Sequence, residues 1–366
     1  MTTFQDTAYL EMAYALAEKA LGRASPNPYV GALVVKNETI VGFGYHEGAG
    51  KPHAEIVALG RAGGRAEGAT LYVTLEPCVH WGRTPPCAEA VIRAKPRRVV
   101  VSALDPNPLV FKKGVAKLKR AGIEIRVGLL EERNRLLNEH YMKSITQKIP
   151  FVTLKAALSL DGKMATKKSD SRWISSKVAR EYVHLLRGEY DAIMIGSGTI
   201  LQDDPRLTVR HPNWPDKKLL RVILDPGLRF PLRAQMLSGL GRGGILIFTD
   251  LKASSQKKSA LERKGAEVIR VPGTSSELDL GEVLSRLGGR EVTSVLVEGG
   301  GRLATSLLDK KLVDKVFLTI SPRLIGGEKA VAFYAGRGAD RIRETLRLER
   351  FSVFMLGDDI IAEGYL

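Results

Sequence analysis

The sequence predicts an α/β protein of two successive domains, on three observations. Apolar segments of strand length alternate with amphipathic helical segments along most of the chain. Its 366 residues exceed what one ordinary core encloses. The alternation reaches a helical stretch ending near residue 145 and starts afresh at Pro150-Phe151, so domains are expected at 1–147 and 148–366. Hydrophobic residues at 44% and charged residues at 26% give a globular balance, and no apolar run reaches the ~18 residues of a membrane span.

Apolar residues at 9, 10, 13, 16, 17 and 20 place a first helix over 6–21, stopped by Gly22. Strands are expected at 30–35 and 40–45, then a helix from about His53 and a strand at 70–75. A helix beginning at the Thr84-Pro85-Pro86 turn leads to a strand at 97–103. A helix at 110–121, a strand at 123–127 and a helix at 131–145 complete the domain. Interleaved strands and helices imply a sheet covered on both faces. The opening helix carries Glu11 and Glu18 and does not resemble a signal peptide, so a cytoplasmic enzyme is expected.

One motif dominates the chemistry. His53-Ala54-Glu55 is followed by Pro77-Cys78 and then Cys87, and these are the only two cysteines in the chain. One imidazole and two thiolates suit Zn²⁺ and leave a fourth coordination position for water. Zinc lowers the pKa of that water from about 15.7 to about 7, and Glu55, two residues from the histidine, can carry its protons. This is the arrangement of zinc-dependent base deaminases. Two alternatives stay open at this level: a Cys78–Cys87 disulfide, which a reducing compartment disfavours, and a four-ligand structural site drawing on His46 or His80.

The net charge of +16 invites a nucleic-acid reading. Residues 1–147 hold 20 Lys+Arg against 14 Asp+Glu, or +6, and the remainder holds 36 against 26, or +10. The excess is spread over both parts without a basic tail. Aromatic content of 6% leaves few platforms for stacking bases. Attraction of phosphorylated small molecules is the inference that remains.

Beyond residue 150 two clusters stand out: Lys155 to Lys163 with Ser171-Arg172-Trp173-Ile174, and Gly196-Ser197-Gly198-Thr199 with Asp203-Asp204-Pro205. A strand at 294–297 leads into Glu298-Gly299-Gly300-Gly301-Arg302 and an apolar helix, a glycine turn suited to phosphate. Gly299-x-Gly301-x-x-Ala304 matches a dinucleotide fingerprint only formally, since no acidic residue follows about 20 positions on.

Together these residues resemble the bifunctional riboflavin biosynthesis deaminase/reductase family. The resemblance rests on Pro26-Asn27-Pro28, His53-Ala54-Glu55, Glu76-Pro77-Cys78-x-His80, Gly82-Arg83-Thr84-Pro85-Pro86-Cys87 and Asp105-Pro106-Asn107-Pro108. It continues through Lys155, Ser159-x-Asp161-Gly162, Trp173-Ile174, Asp203-Asp204-Pro205-x-Leu207-Thr208 and Glu298-Gly299-Gly300. It implies a cytidine-deaminase-like three-layer αβα domain, then a dihydrofolate-reductase-like α/β domain. The first would hold one Zn²⁺ on His53, Cys78 and Cys87, use Glu55 as proton shuttle, and meet substrate through Asn27, His46, His80 and Asn107. The second would bind NADPH at Ala157, Trp173, Thr199, Asp203, Gly300, Gly301 and Arg302, with substrate at Ser171, Arg187, Leu207, Arg210 and Glu298. Asp203 is nominated for proton handling. The implied partners are phosphorylated pyrimidines and further copies of the chain, with no nucleic acid and no membrane. Two departures from the family pattern are Val79 after the first cysteine and Phe111-Lys112-Lys113-Gly114 in place of a more glycine-rich turn.

Overall fold

The computed structural model describes residues 2–274 and 276–366, which form two compact units, up to Lys148 and from Ile149.

In the first unit, helix α1 (Thr3–Ala17) starts three residues earlier than the apolar periodicity suggests. A capping box explains this: Thr2 Oγ accepts from the Gln5 amide, and the Gln5 side chain accepts from the Thr2 amide. Next come β1 (Gly31–Lys36), β2 (Thr39–Tyr45), α2 (Ala54–Ala62), β3 (Thr70–Leu75), α3 (Cys87–Ala94) and β4 (Arg98–Ala103). The unit closes with α4 (Lys113–Arg120), β5 (Glu124–Val127), α5 (Glu131–Leu137) and α6 (Glu139–Gln147). The sheet order is β2-β1-β3-β4-β5; β1 runs antiparallel to β2 and β3, and β3, β4 and β5 are parallel. Alternate residues sort to the two faces. Leu33, Val35, Tyr72 and Val100 meet α1, while Ala32, Val34, Leu71, Val73, Val99 and Val101 meet α2, α3 and α4. The helix expected over 131–145 is broken at Asn138. Its side chain exchanges two hydrogen bonds with the Tyr29 backbone, a tertiary tie that outweighs helical continuity. Under α1, Asp6 is fully buried and accepts from both terminal guanidinium nitrogens of Arg98, from Arg126 and from the Tyr72 hydroxyl.

The second unit contains β6 (Phe151–Ser159), β7 (Lys163–Ala165), α7 (Lys177–Glu189), β8 (Ala192–Gly196), α8 (Ser197–Asp203), β9 (Leu220–Leu224), β10 (Ile245–Asp250) and α9 (Ser255–Glu262). It continues with β11 (Glu267–Val271), α10 (Leu280–Gly288), β12 (Ser294–Val297), α11 (Gly301–Asp309), β13 (Lys315–Ser321), β14 (Val331–Ala332), β15 (Glu349–Leu356) and β16 (Asp359–Tyr365). Nine strands form one sheet in the order β11-β10-β9-β8-β12-β6-β13-β16-β15, parallel from β11 to β13 and antiparallel thereafter. Apolar residues of α10 and α11 cover one face of the parallel part, and Ile200 and Leu261 of α8 and α9 cover the other. No helix among the described residues is long and apolar enough to cross a membrane.

Arg221 on β9 is fully buried, which the sequence pattern did not signal. Its guanidinium donates to the carbonyls of Met236, Gly239, Gly243 and Gly244, fastening the segment before β10. Arg221→Met keeps much of the side-chain volume but orphans those acceptors. The expected result is a loss of about 1–3 kcal/mol in denaturant unfolding of this unit, with deamination unaffected.

Candidate functional site

The first unit builds its site from the ends of β3 and the starts of α2 and α3. His53 caps α2 in extended conformation rather than lying within its first turn, while Glu55 sits in that turn. Cys87 is the first residue of α3, and Cys78 follows β3 by three residues. These folds bring one nitrogen and two sulfurs together: His53, Cys78 and Cys87 offer ligand atoms all within 4.8 Å of one another. His53 Nδ1 faces Cys87 Sγ at 3.1 Å and Cys78 Sγ at 3.6 Å, so Nδ1 is the ligand nitrogen. His53 Nε2 meets the Thr84 hydroxyl at 3.0 Å, an outer contact that fixes the ring. Both cysteines are free, so no disulfide forms. The borderline-soft donor set and its convergence fit zinc with one open coordination position.

Electrostatics match this placement. The Cys87 thiol and the His53 ring hold the Cys78 thiol down at about 4, against the opposing effect of burial. Cys87 is pushed up, because it shares its proton with Cys78 and is itself buried. Burial lifts the Glu55 carboxyl to about 7, with His53 opposing.

Around this centre, Asn27 Nδ2 lies 2.9 Å from His46 Nε2, and the His46 ring stands edge-on to His53 with centroids 5.1 Å apart. His80 Nδ1 is buried without a hydrogen-bond partner, a polar atom that a ligand would satisfy. Asn107 lies in a loop braced by Asp105, which accepts from the Asn107 amide and from the Tyr141 hydroxyl, both at 2.9 Å.

Sequence reasoning left Glu76 without a role. It is 3% exposed, and its carboxylate accepts the backbone amides of Asp105, Lys112 and Val115, tying the segment before Cys78 to the loop that carries Asn107. Gly114 makes that approach possible, since a Cβ there would lie 2.1 Å from the Pro77 carbonyl oxygen. The Lys112 tie also explains why α4 begins at Lys113 rather than at 110. An acidic residue at the end of an otherwise apolar strand was the available signal.

In the second unit a cavity of about 1060 Å³ opens over the C-terminal ends of the parallel strands. Ala157, Ser171, Trp173, Arg187, Thr199, Asp203, Arg210, Glu298, Gly300, Gly301 and Arg302 all line it. Leu207 is not among the lining residues. It is buried in the apolar cluster of Ile193, Ile195 and Phe230, which leaves its backbone as what it can offer a ligand. Asp203 ends α8, with Oδ1 3.6 Å from the Arg172 guanidinium. The Trp173 ring lies 4.5 Å beneath the Arg180 guanidinium.

The charged centre of this cavity is the fork-to-fork pair of Arg187 and Glu298, at 2.6 and 2.7 Å. Burial works against the Glu298 charge, but Arg187 and Lys155 outweigh it and hold the carboxyl at about 2. Lys155 lines the cavity, and burial lowers its ammonium below the usual range. His184, unassigned from sequence, bridges Arg210 and Arg187, and is held down at about 4 by burial and by those two cations. The glycine turn heads α11. A Cβ on Gly301 would strike the Ala332 carbonyl, whereas the Cβ position of Gly300 is open, so main chain faces the cavity there. A volume of this size and an exposed glycine backbone fit a nicotinamide dinucleotide.

Comparison with known proteins bears on both units. Residues 3–103 match the cytidine and deoxycytidylate deaminase zinc-binding region, and residues 150–362 match the RibD C-terminal domain. The chain thus combines a zinc-type base deaminase with a nicotinamide-dependent reductase. The riboflavin biosynthesis protein RibD of Aquifex aeolicus (strain VF5) is 46% identical over 356 residues, covering 97% of each chain. That of Bacillus amyloliquefaciens is 40% identical, covering 96% of this chain and 94% of the other. The Acinetobacter baumannii RibD structure superposes with a TM-score of 0.87 at 36% identity, over 99% of this chain and 98% of the other. A Thermotoga maritima structure, a diaminohydroxyphosphoribosylaminopyrimidine deaminase/5-amino-6-(5-phosphoribosylamino)uracil reductase, gives 0.85 at 34% identity over 98% of each. The chain belongs to the RibD family of bifunctional deaminase/reductases of riboflavin biosynthesis.

Proposed function

We propose that residues 1–147 hydrolytically deaminate 2,5-diamino-6-(5-phosphoribosylamino)pyrimidin-4-one, and that residues 148–366 reduce the ribosyl side chain of 5-amino-6-(5-phosphoribosylamino)uracil to ribityl with NADPH. The observation that carries this reading is the convergence of His53 Nδ1 and both cysteine sulfurs beside a buried Glu55. Those three atoms would hold zinc, which when bound would supply an acidified water. Glu55 is placed to move two protons in turn: one taken up as water adds and passed to a ring nitrogen, and a second taken from the added hydroxyl and passed to the departing amine. His80 and Asn27 offer polar atoms to the pyrimidine, His46 is oriented by the Pro52 carbonyl, and Asn107 is presented by the loop that Glu76 anchors.

In the second domain the cofactor supplies reducing equivalents. Arg210, oriented by His184, presents donors to the substrate phosphate, and Arg187, its fork held by Glu298, adds a fixed positive charge beside the ribosyl oxygens, with Ser171 and the Leu207 backbone nearby. Ala157, Trp173, Thr199, Gly300, Gly301 and Arg302 hold the cofactor, and Asp203 handles the proton that accompanies reduction. The exposed apolar side chains Phe351, Val353 and Met355 on the edge strand β15 support a homo-oligomer. The free cysteines support a reducing compartment, the cytoplasm.

One ordered assay tests the whole reading: zinc content, ammonia release from the diaminopyrimidine, then NADPH consumption. About one zinc per chain, with reduction dependent on prior deamination, is the expected result. Ammonia release without zinc, or no NADPH consumption on the deaminated compound, refutes the corresponding half.

A further inference from the structure

We propose that Asp161 is a positioning residue for the cofactor: by gathering the chain between β13 and β14, it sets the cavity wall that stands beside the glycine turn of α11. The inference rests on the reductase reading of the second unit. Asp161 is not among the residues lining the cavity and acts from behind it. Met164 and Ala165 of β7 and Val331 of β14 do line it, so this two-stranded sheet is one of its walls. β14 also passes close to the turn, since a Cβ on Gly301 would lie 2.4 Å from the Ala332 carbonyl oxygen. A dinucleotide seated on that turn is therefore bounded by β14 as well.

Such a wall needs outside support. β7 and β14 share two paired positions, Val331 with Ala165 and Ala332 with Lys163, across an irregular register, and a lone two-stranded sheet is marginal in water. One end of the wall is secured on α11, where the Tyr334 hydroxyl donates to Asp309 and the Ala335 amide to Thr305. The other end arrives through Ile325 and Gly326, and Asp161 collects both. Its carboxylate accepts the Ile325 amide at 3.0 Å and the Gly326 amide at 2.7 Å. The Ser159 hydroxyl donates to the same carboxylate at 2.6 Å, and its oxygen accepts the Lys163 amide at the start of β7. Ser159 ends β6, so the anchor refers both strands of the wall to the main sheet. The hydroxyl and the two amides hold the Asp161 carboxyl at about 2, which keeps it ionised at neutral pH. An ionised carboxylate offers acceptors alone, as two adjacent amides require.

The test is titration of the full-length protein with NADPH, followed by cofactor fluorescence, with steady-state reduction of the deaminated compound on the same preparations. Asp161→Ala should weaken NADPH binding about 10-fold, the size of one charge-assisted contact, and raise the KM for NADPH in step. The kcat at saturating cofactor and the KM for the pyrimidine should each stay within about threefold. Asp161→Asn keeps an oxygen for Ile325 but turns an amino group on the Gly326 amide, so its NADPH affinity should fall between the two. A merely structural residue would lower thermal stability without that split. Unchanged NADPH affinity in either variant, or an equal rise in the KM for the pyrimidine, overturns the inference while the reductase reading stands. Should the alanine variant fail to fold, the asparagine variant decides alone. Absence of NADPH binding by the unaltered protein overturns both.

Discussion

Glu55→Gln is expected to suppress ammonia release by about 10²–10⁴-fold while zinc content and NADPH-dependent reduction of the deaminated intermediate stay intact. The substitution keeps the shape of a side chain that is 3% exposed and removes its capacity to accept and return a proton. Glu55 is two residues from His53 but is not one of the three clustered ligand residues, so the metal should remain. Because burial lifts the carboxyl to about 7, it can be both base and acid within one turnover near neutral pH. The measurement is ammonia release and metal content on the same preparation. Substantial deamination by the variant would remove Glu55 from the proton path; parallel loss of zinc would make its role structural.

The second large effect is expected at the buried pair in the other unit. Glu298→Leu leaves the Arg187 guanidinium without its carboxylate in a site where both side chains are about nine-tenths buried. A loss of about 3–5 kcal/mol in stability of this unit should accompany abolition of reduction, with deamination retained. Arg187→Met combined with Glu298→Leu should recover most of that stability, since two apolar groups replace two charges, without restoring reduction. That separation distinguishes a functional pair from a merely structural one. A double variant that regains reduction would exclude both residues from substrate handling. The pair also carries a pH signature. Glu298 titrates at about 2 when folded, against 4.5 ordinarily, so its stabilisation is fully present above 4.5 and is lost as pH falls toward 2.

What the sequence made legible was chemistry carried by rare residues at fixed spacing. His53, Cys78 and Cys87 announce a metal because few other combinations serve one, and Glu55 is recognised by its offset from His53. The second site was harder to read. Its groups come from Ala157, Thr199, Arg210 and Gly300, and only the parallel strand order brings them to one rim, so the family resemblance had to supply what periodicity could not. Leu207 shows the remaining limit: its place in the chain says nothing about whether its side chain meets a ligand or the core. Asn138 and Arg221 escaped for a common reason. Each is a polar residue whose partners are backbone atoms far along the chain, and no local pattern encodes such a bond.

The clamp at Glu76 bears on how this enzyme can vary. Its grip on residues 105, 112 and 115 is made entirely through main-chain nitrogens, so the identity of the side chains there is invisible to it. Phe111-Lys112-Lys113 can therefore replace a glycine-rich stretch without disturbing those hydrogen bonds. Gly114, pressed against the Pro77 carbonyl, has no such latitude. Drift at positions 111 to 113 should be tolerated, and Gly114 is the point of closest passage that ends it.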